Sequence, residues 1–554
     1  MAEKITVKLP GGIEKDFTCG ISLREIINSV PGESSVFPLA VLVNNCLEDL
    51  DYVLNEHAQI EWVDYSSKEG ASVYRRSASI ILLEATADVC PEADLVVGQS
   101  ISKGYYYSFK SKEPLNEDIL DRISSRMWEI VREDRSFNKT NMTLQDAIDF
   151  FEKKGRVNKV RLLKTLTVHH VWLICCGNFV DIYNGPVAPS TGEINQFQLT
   201  MHGRNGFILR FPNPDMKTFP DNISQPGLFN VYQETRSWYE ILKVENVGQL
   251  NELSINDKIS EVVKIAEGLH EKKIAQIADE IYLGKDSIRI ILIAGPSSSG
   301  KTTFSKRLGI QLKVNGITPV SLSLDHYFKD RQSTPKDSLG NFNFDVLEAI
   351  DLDLLHQQLQ SLLEGKEVQV PFYSFTTGER VSGKSHKLSL KKDIILIIEG
   401  IHAMNPKLVA ALPDEVKYRI YVSALTQLAI DDHNRIFTSD TRLIRRIIRD
   451  CLFRGYSAWE TIKQWPSVRE GENSHIFPFQ EEANVMFNSA LVYEHAVLRN
   501  YAERFLLDVP RSRPEYAEAR RLLSFISVFV PISPDEVPPT SILREFIGES
   551  GFEY

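Results

Sequence analysis

The stretch from Ile291 to Leu308 reads ILIAGPSSSGKTTFSKRL. An apolar run gives way to Gly, Pro and three serines, then to a lysine and two threonines that open a helical pattern. Gly295, Gly300, Lys301 and Thr302 satisfy the spacing GxxxxGK[ST] between a strand and a helix. Glycines let such a turn curl until successive N–H groups point inward as an anion nest, here shared with Ser297, Ser298 and Ser299. The first helical turn, through Thr303, adds unpaired N–H groups and the positive end of its dipole. Lys301 can reach β- and γ-phosphates, and the Thr302 hydroxyl can ligate Mg2+. The stretch is therefore expected to hold a nucleoside triphosphate.

Two carboxylates end later apolar runs. VSLSLDHYF puts Asp325 at a strand end, where open α/β sheets hold their ligands. There it can accept a hydroxyl proton and pose that hydroxyl near a γ-phosphate. DIILIIEG ends in Glu399, a natural position for Mg2+ or for orienting water. DTRLIRRIIRDCLFRG carries Arg442, Arg445, Arg446 and Arg449 on one helical face, with Arg454 in the loop beyond. Clustered guanidiniums suit a mobile lid that closes over a transferring phosphoryl group. The plainer reading of the same run is an exposed, salt-bridged helix face.

These groups need a scaffold. From residue 286 onward, IRIILIAG, PVSLSLD, IILIIEG and YRIYVSA alternate with helical patterns, as in a parallel sheet covered on both faces. The fold class expected is multidomain α/β, and 554 residues make roughly three or four domains. Residues 1–64 read as a β-grasp unit, with a hairpin turn at Pro10-Gly11-Gly12 and a helix capped by Ser22. Residues 65–225 read as an α+β domain with a helix near 70–88 and strand-like runs VRLLKTLTV, HVWLICCG and NGFILRF. Residues 226–285 form a helical connector, packed on the next domain in preference to a dimer seam.

A formal charge of −11 gives no general attraction to nucleic acid or anionic membrane. No apolar run reaches the ~18 residues of a membrane span. The opening MAEKITVKLPGG is a charged strand pattern, unlike a signal peptide, so a cytoplasmic location is expected. Six cysteines without C-x-x-C spacing read as reduced, mostly buried thiols, with neither disulfides nor zinc. His169-His170 point to opposite faces of a strand and make a poor metal pair.

Residues 286–500 resemble the uridine kinase/phosphoribulokinase group of P-loop kinases, most closely its uridine–cytidine kinases. GPSSSGKTT, SLDHYF, FNFD, VPFYSF, IIEGI, DTRLIRRIIRD with RG, and FPFQEEANVMF carry the resemblance in order. It implies ATP and Mg2+ as cofactors and Asp325 as the base for a 5′-hydroxyl. It also implies that Asp345 and Arg442 hold a ribose, that Tyr373 and Phe375 lie against the base, and that Arg380 stands just beyond. Glu399 would sit near Mg2+, and Arg445, Arg446 and Arg449 would serve the lid. Where uridine–cytidine kinases read the pyrimidine edge with a histidine, this chain has Thr377-Gly378. DHYF also departs from the family's aromatic order.

Residues 1–64 resemble the TGS domain, and 65–200 resemble the editing domain of threonyl-tRNA synthetase, through EGASVYRRSASIILLEA, VVGQSISKGYYYSF and FVDIYNGPVAPSTG. The four reactive groups of that editing site fall on Arg76, Ile80, Tyr183 and Val187, so the family's hydrolysis is not expected here. The function implied is phosphorylation of a nucleoside 5′-hydroxyl, most simply on uridine or cytidine. A kinase for another small alcohol, and an RNA- or ribosome-associated ATP sensor, stay open. So do RNA or small-ligand contact by the N-terminal domains, and a homo-oligomer.

Overall fold

The computed structural model describes residues 4–553 except 31–36, 222, 337–339, 341, 375–376, 382–384, 392–393 and 411. In the C-terminal half five strands lie side by side in the order Thr318–Ser323, Ile394–Glu399, Ile290–Ala294, Lys417–Ser423, Val485–Asn488. Every neighbouring pair is parallel. The central strand Ile290–Ala294 is buried at each position, which is why its sequence is apolar without alternation. Ile291 and Ile293 enter a core with Phe304, Leu308 and Leu312 of the helix Lys301–Val314. Ile290, Leu292 and Ala294 face the opposite core, with Leu355, Leu359 and Leu362 of the helix Leu352–Leu363.

Register brings the strand ends together. Glu399 is paired with Ile293 on one side and with Ser323 on the other. The turn beginning at Gly295, the carboxylate of Glu399 and the turn carrying Asp325 therefore leave the sheet at one edge.

The N-terminal half contains a five-stranded sheet in the order Glu14–Thr18, Lys4–Lys8, Ala58–Val63, Ala40–Val43, Cys46–Glu48, the β-grasp arrangement. Its helix Leu23–Asn28 starts on a reciprocal capping box between Ser22 and Glu25. Beyond it, the helices Lys68–Val89 and Glu117–Arg132 accompany a four-stranded antiparallel sheet, Gln198–Met201, Gly206–Arg210, Gly104–Lys110, Asp94–Ile101.

Two expectations need correction here. Most of VRLLKTLTV is the end of a helix, Val157–Lys164, whose Val160 and Leu163 pack on Ile148 and Phe151; its helical spacing outweighs its β-branched ends. Of the six cysteines only Cys176 is buried. Cys175 and Cys176 are neighbours on the strand His170–Cys176, so alternation buries one and leaves the other part-exposed. His169 and His170 are exposed.

The helices Pro226–Leu242, Val247–Ile255 and Ile259–Leu283 follow. Ile274, Ile277 and Ile281 of the long helix join the core of Phe304 and Leu308. Arg307 on the helix after the phosphate loop bonds Glu267 and Glu271 of that long helix at 3.3 and 2.7 Å. The two halves of the chain also meet directly. Val97 N donates to the carbonyl of Asp432 at 2.9 Å, and Gln99 Nε2 to that of Thr426 at 2.7 Å.

Candidate active site

The loop after the central strand turns as its glycines require. Gly300 has φ 83°, a conformation that L side chains rarely adopt, and a Cβ there would lie 2.4 Å from Ile542. Lys301 folds back over the loop and donates to the Pro296 carbonyl at 3.1 Å. Thr302 Oγ1 donates to Glu399 Oε1 at 2.9 Å, joining the loop to the neighbouring strand end. Two amides of the nest already engage carboxylates of this chain. Ser297 N donates to Glu472 at 3.1 Å, and Thr303 N to Glu545 at 3.1 Å. These bonds express the affinity of a loop nest and of a helix start for negative charge.

Around the loop the charges divide into two sets. Every arginine of the helix Thr438–Arg449 has a partner. Arg442, 1 % exposed, grips the equally buried Glu472 with both nitrogens and donates from Nε to the Ser297 carbonyl at 2.8 Å. Arg445 is wholly buried, donates to Glu494 at 2.8 Å and to the Ser489 carbonyl at 2.9 Å, and lies 5.0 Å from the Phe546 ring centroid. Arg446 donates to Ser297 Oγ at 3.0 Å and faces Asp450 at 3.3 Å. Arg449 donates to Asp450 at 2.9 Å, and Arg454 approaches the same carboxylate at 3.6 Å.

The resemblance puts Arg442 on a ribose and Arg445, Arg446 and Arg449 in a lid, whereas the structure divides the four into a buried pair and an outer pair. Arg442 and Arg445 are locked into the core beneath the phosphate loop, because a guanidinium buried there must have its carboxylate. Arg446, Arg449 and Arg454 gather on Asp450 at the outer end, where a π-helical turn Asp450–Arg454 closes the helix.

The carboxylates predicted to do chemistry form the second set. Among the described residues Asp325, Asp345 and Glu399 make no ion pair. Burial raises the Asp325 carboxyl above its usual range, opposed by Lys301 and Arg454. Burial pushes Glu399 up to about 7 against the pull of Lys301, with Asp325 and Glu545 adding to the rise. Burial likewise lifts Asp345 to about 6, opposed by Arg446. Burial also lowers Lys301, which the three carboxylates Glu399, Glu545 and Asp325 resist. Asp345 is brought close by a glycine: a Cβ on Gly471 would stand 2.7 Å from its own Cβ.

The expected base-binding residues spread out. Tyr373, 4 % exposed, lies in the core against Phe328. Arg380 is spent behind the Asp325 turn, on Asp351 at 3.0 Å and the carbonyls of Phe328 and Tyr327 at 3.1 Å each. Phe375 lies outside the described residues. Gly378 sits in a tight turn, its carbonyl accepting from Arg331 N at 2.8 Å. His326, which follows Asp325, rests on Phe372 with centroids 5.2 Å apart. The partners Glu472, Glu494 and Glu545 escaped sequence reading: each is a glutamate in a helical segment with no motif around it.

A divalent cation fits this donor set. Glu399 and the Thr302 hydroxyl offer hard oxygen ligands beside the nest, and no group of three or more His, Cys, Asp or Glu among the described residues is arranged to hold a metal by itself. That is the sparse protein contribution Mg2+ takes when phosphate and water complete its shell.

Residues 290–494 match the model of the Phosphoribulokinase / Uridine kinase family, and the chain carries a domain of that family there. The N-terminal region is similar to threonine–tRNA ligases. That of Desulforamulus reducens is 32% identical over 198 residues, 35% of this chain and 31% of the ligase. That of Geobacter sp. (strain M21) is 30% identical over 197 residues, 36% of this chain and 31% of the ligase. The chain thus spans about a third of the length of these curated relatives. Among solved structures, a possible uridine kinase from Bacillus stearothermophilus aligns over 39% of this chain and 98% of its own, at 18% identity and TM-score 0.28. A putative fructose transport system kinase from Silicibacter sp. TM1040 aligns over the same shares at 16% identity and TM-score 0.28. No helix among the described residues is long and apolar enough to cross a membrane.

Proposed function

We propose that the chain is an ATP-dependent kinase that phosphorylates the 5′-hydroxyl of a nucleoside, with uridine and cytidine as first candidates. The observation that supports this most is the division of charge at one sheet edge. The arginines are paired, while Asp325 and Glu399 stand beside the phosphate loop with raised carboxyls and, among the described residues, no cationic partner within 4.0 Å. A base needs a free carboxylate near the outermost phosphate, and a raised pKa brings it closer to working pH.

In this reading Asp325 takes the hydroxyl proton as the acceptor oxygen attacks the γ-phosphorus, and ADP leaves. The loop amides and Lys301 hold the phosphates, and Thr302 with Glu399 holds Mg2+. When bound, that cation neutralises charge on the phosphates. Arg446, Arg449 and Arg454, poised on Asp450, are the guanidiniums within reach of developing charge. Asp345 binds the acceptor's hydroxyls. Positioning and electrostatics carry the reaction, with no covalent intermediate.

The test is ADP release by the purified full chain with ATP and Mg2+, against a panel of nucleosides, sugar phosphates and other small alcohols. Release stimulated by a pyrimidine nucleoside is expected. Release stimulated only by another alcohol moves the acceptor assignment, and none with any acceptor sinks the kinase reading.

A further inference from the structure

The four positions that match the synthetase editing site, Arg76, Ile80, Tyr183 and Val187, line one cavity of about 80 Å³. That is room for on the order of six water-sized groups. The opposite wall comes from the C-terminal half: His433, Asn434, Arg435 and Phe437, on the segment entering the helix Thr438–Arg449.

This cavity is positive. Arg76 donates to the Pro186 carbonyl, and no carboxylate among the described residues pairs with it. Arg435 lies 5.0 Å from the ring centroids of both Tyr105 and Phe437, and its Nε and Nη1 are buried with no hydrogen-bond partner. The one carboxylate in the wall, Asp181, is already taken by Lys159 and by His433 Nδ1. Guanidinium nitrogens buried without an acceptor, as on Arg435, are costly, and the half-buried Arg76 lines the same small cavity. The Tyr183 hydroxyl donates to Asp49 at 2.6 Å and that of Tyr107 to Ser79 at 2.9 Å, so these two phenols of the wall are engaged.

We infer that this cavity is a binding site for a small oxyanion, a carboxylate or a phosphate on a compact body, gripped between Arg76 of the N-terminal half and Arg435 of the C-terminal half. Guanidinium forks suit either anion, and Tyr105 and Phe437 fix the plane of Arg435. The ligand bridges the two halves at the segment leading into the helix whose Arg442 and Arg446 hold Ser297.

The test uses the full chain and does not depend on kinase activity. Inorganic phosphate and propionate are titrated separately by calorimetry into wild type, Arg76→Gln, Arg435→Gln and Lys301→Ala. At least one anion is expected to bind wild type and Lys301→Ala alike and to lose about tenfold or more in each arginine variant. The arm that binds tells phosphate from carboxylate. Binding lost in Lys301→Ala but kept in Arg435→Gln puts the anion in the phosphate loop and overturns the inference, as does no binding by either anion. Should the arginine variants fold poorly, wild-type crystals soaked in tungstate decide by anomalous scattering. A peak between Arg76 and Arg435 supports the site, and peaks only elsewhere overturn it.

Discussion

Glu545, from the C-terminal helix Arg544–Ile547, accepts from both the amide and the hydroxyl of Thr303, at 3.1 and 2.8 Å. A carboxylate of the chain's own tail thus engages donors that a nest of this kind offers to a phosphate. The two anions compete, so Glu545→Gln is expected to lower the KM for ATP several-fold, roughly the worth of one charge-assisted hydrogen bond, with kcat little changed. Initial rates at varied ATP check it. An unchanged or raised KM would mean that Glu545 only caps the helix.

The buried and outer arginines of one helix should separate cleanly. Arg445→Ala strands Glu494 in the core and is expected to cost about 3–5 kcal/mol of folding stability, read by chemical denaturation. Arg449→Ala leaves Arg446 and Arg454 facing Asp450, so its stability cost is about 1 kcal/mol or less. Its kcat, by contrast, should fall about 10²-fold or more if it serves the phosphoryl group. The reverse pattern would return Arg445 to the chemistry.

The phosphate loop, the strand ends at Asp325 and Glu399 and the parallel sheet were legible because each is local: a spacing, or an apolar run ending in a carboxylate. The fate of the arginines was not. Spacing places Arg442, Arg445, Arg446 and Arg449 on one face, but which of them is buried depends on Glu472 and Glu494, far along the chain. The anchoring of Arg380 was hidden for the same reason, since its partner Asp351 and the carbonyls of Tyr327 and Phe328 converge only in three dimensions.

The raised carboxyls make pH a direct probe. Asp325 accepts a proton only when ionised, so kcat/KM should fall on acidification through a value above the ordinary carboxylate range. Asp325→Asn should abolish that limb with a loss of about 10²–10⁴ in kcat. Stability runs the other way. Glu399 goes from 4.5 to about 7 on folding, so the folded chain binds more protons in that window. Stability therefore declines as pH rises through it and levels off above. Glu399→Gln, measured without Mg2+, should raise stability at pH 8 by at most about 3 kcal/mol and leave it unchanged near pH 4. A gain independent of pH would show that packing, not charge, is responsible.

Lys159, 1 % exposed, joins Asp181 of the N-terminal half to Asp431 of the C-terminal half, the latter at 3.0 Å, while His433 Nδ1 meets Asp181 at 2.6 Å. Burial alone would raise the Asp181 carboxyl, but Lys159 and His433 outweigh it and hold it below its usual range. A depressed carboxylate stabilises the fold above its unfolded pKa and loses that contribution as pH falls toward its folded one. Lys159→Met leaves two buried carboxylates facing each other and is expected to cost about 3–5 kcal/mol at pH 7. The penalty should shrink on acidification as Asp181 takes up a proton. Because the cluster ties the halves together, calorimetry of the variant should resolve two transitions where the wild type melts in one. A single transition with a penalty independent of pH would show that the halves are held by their other contacts.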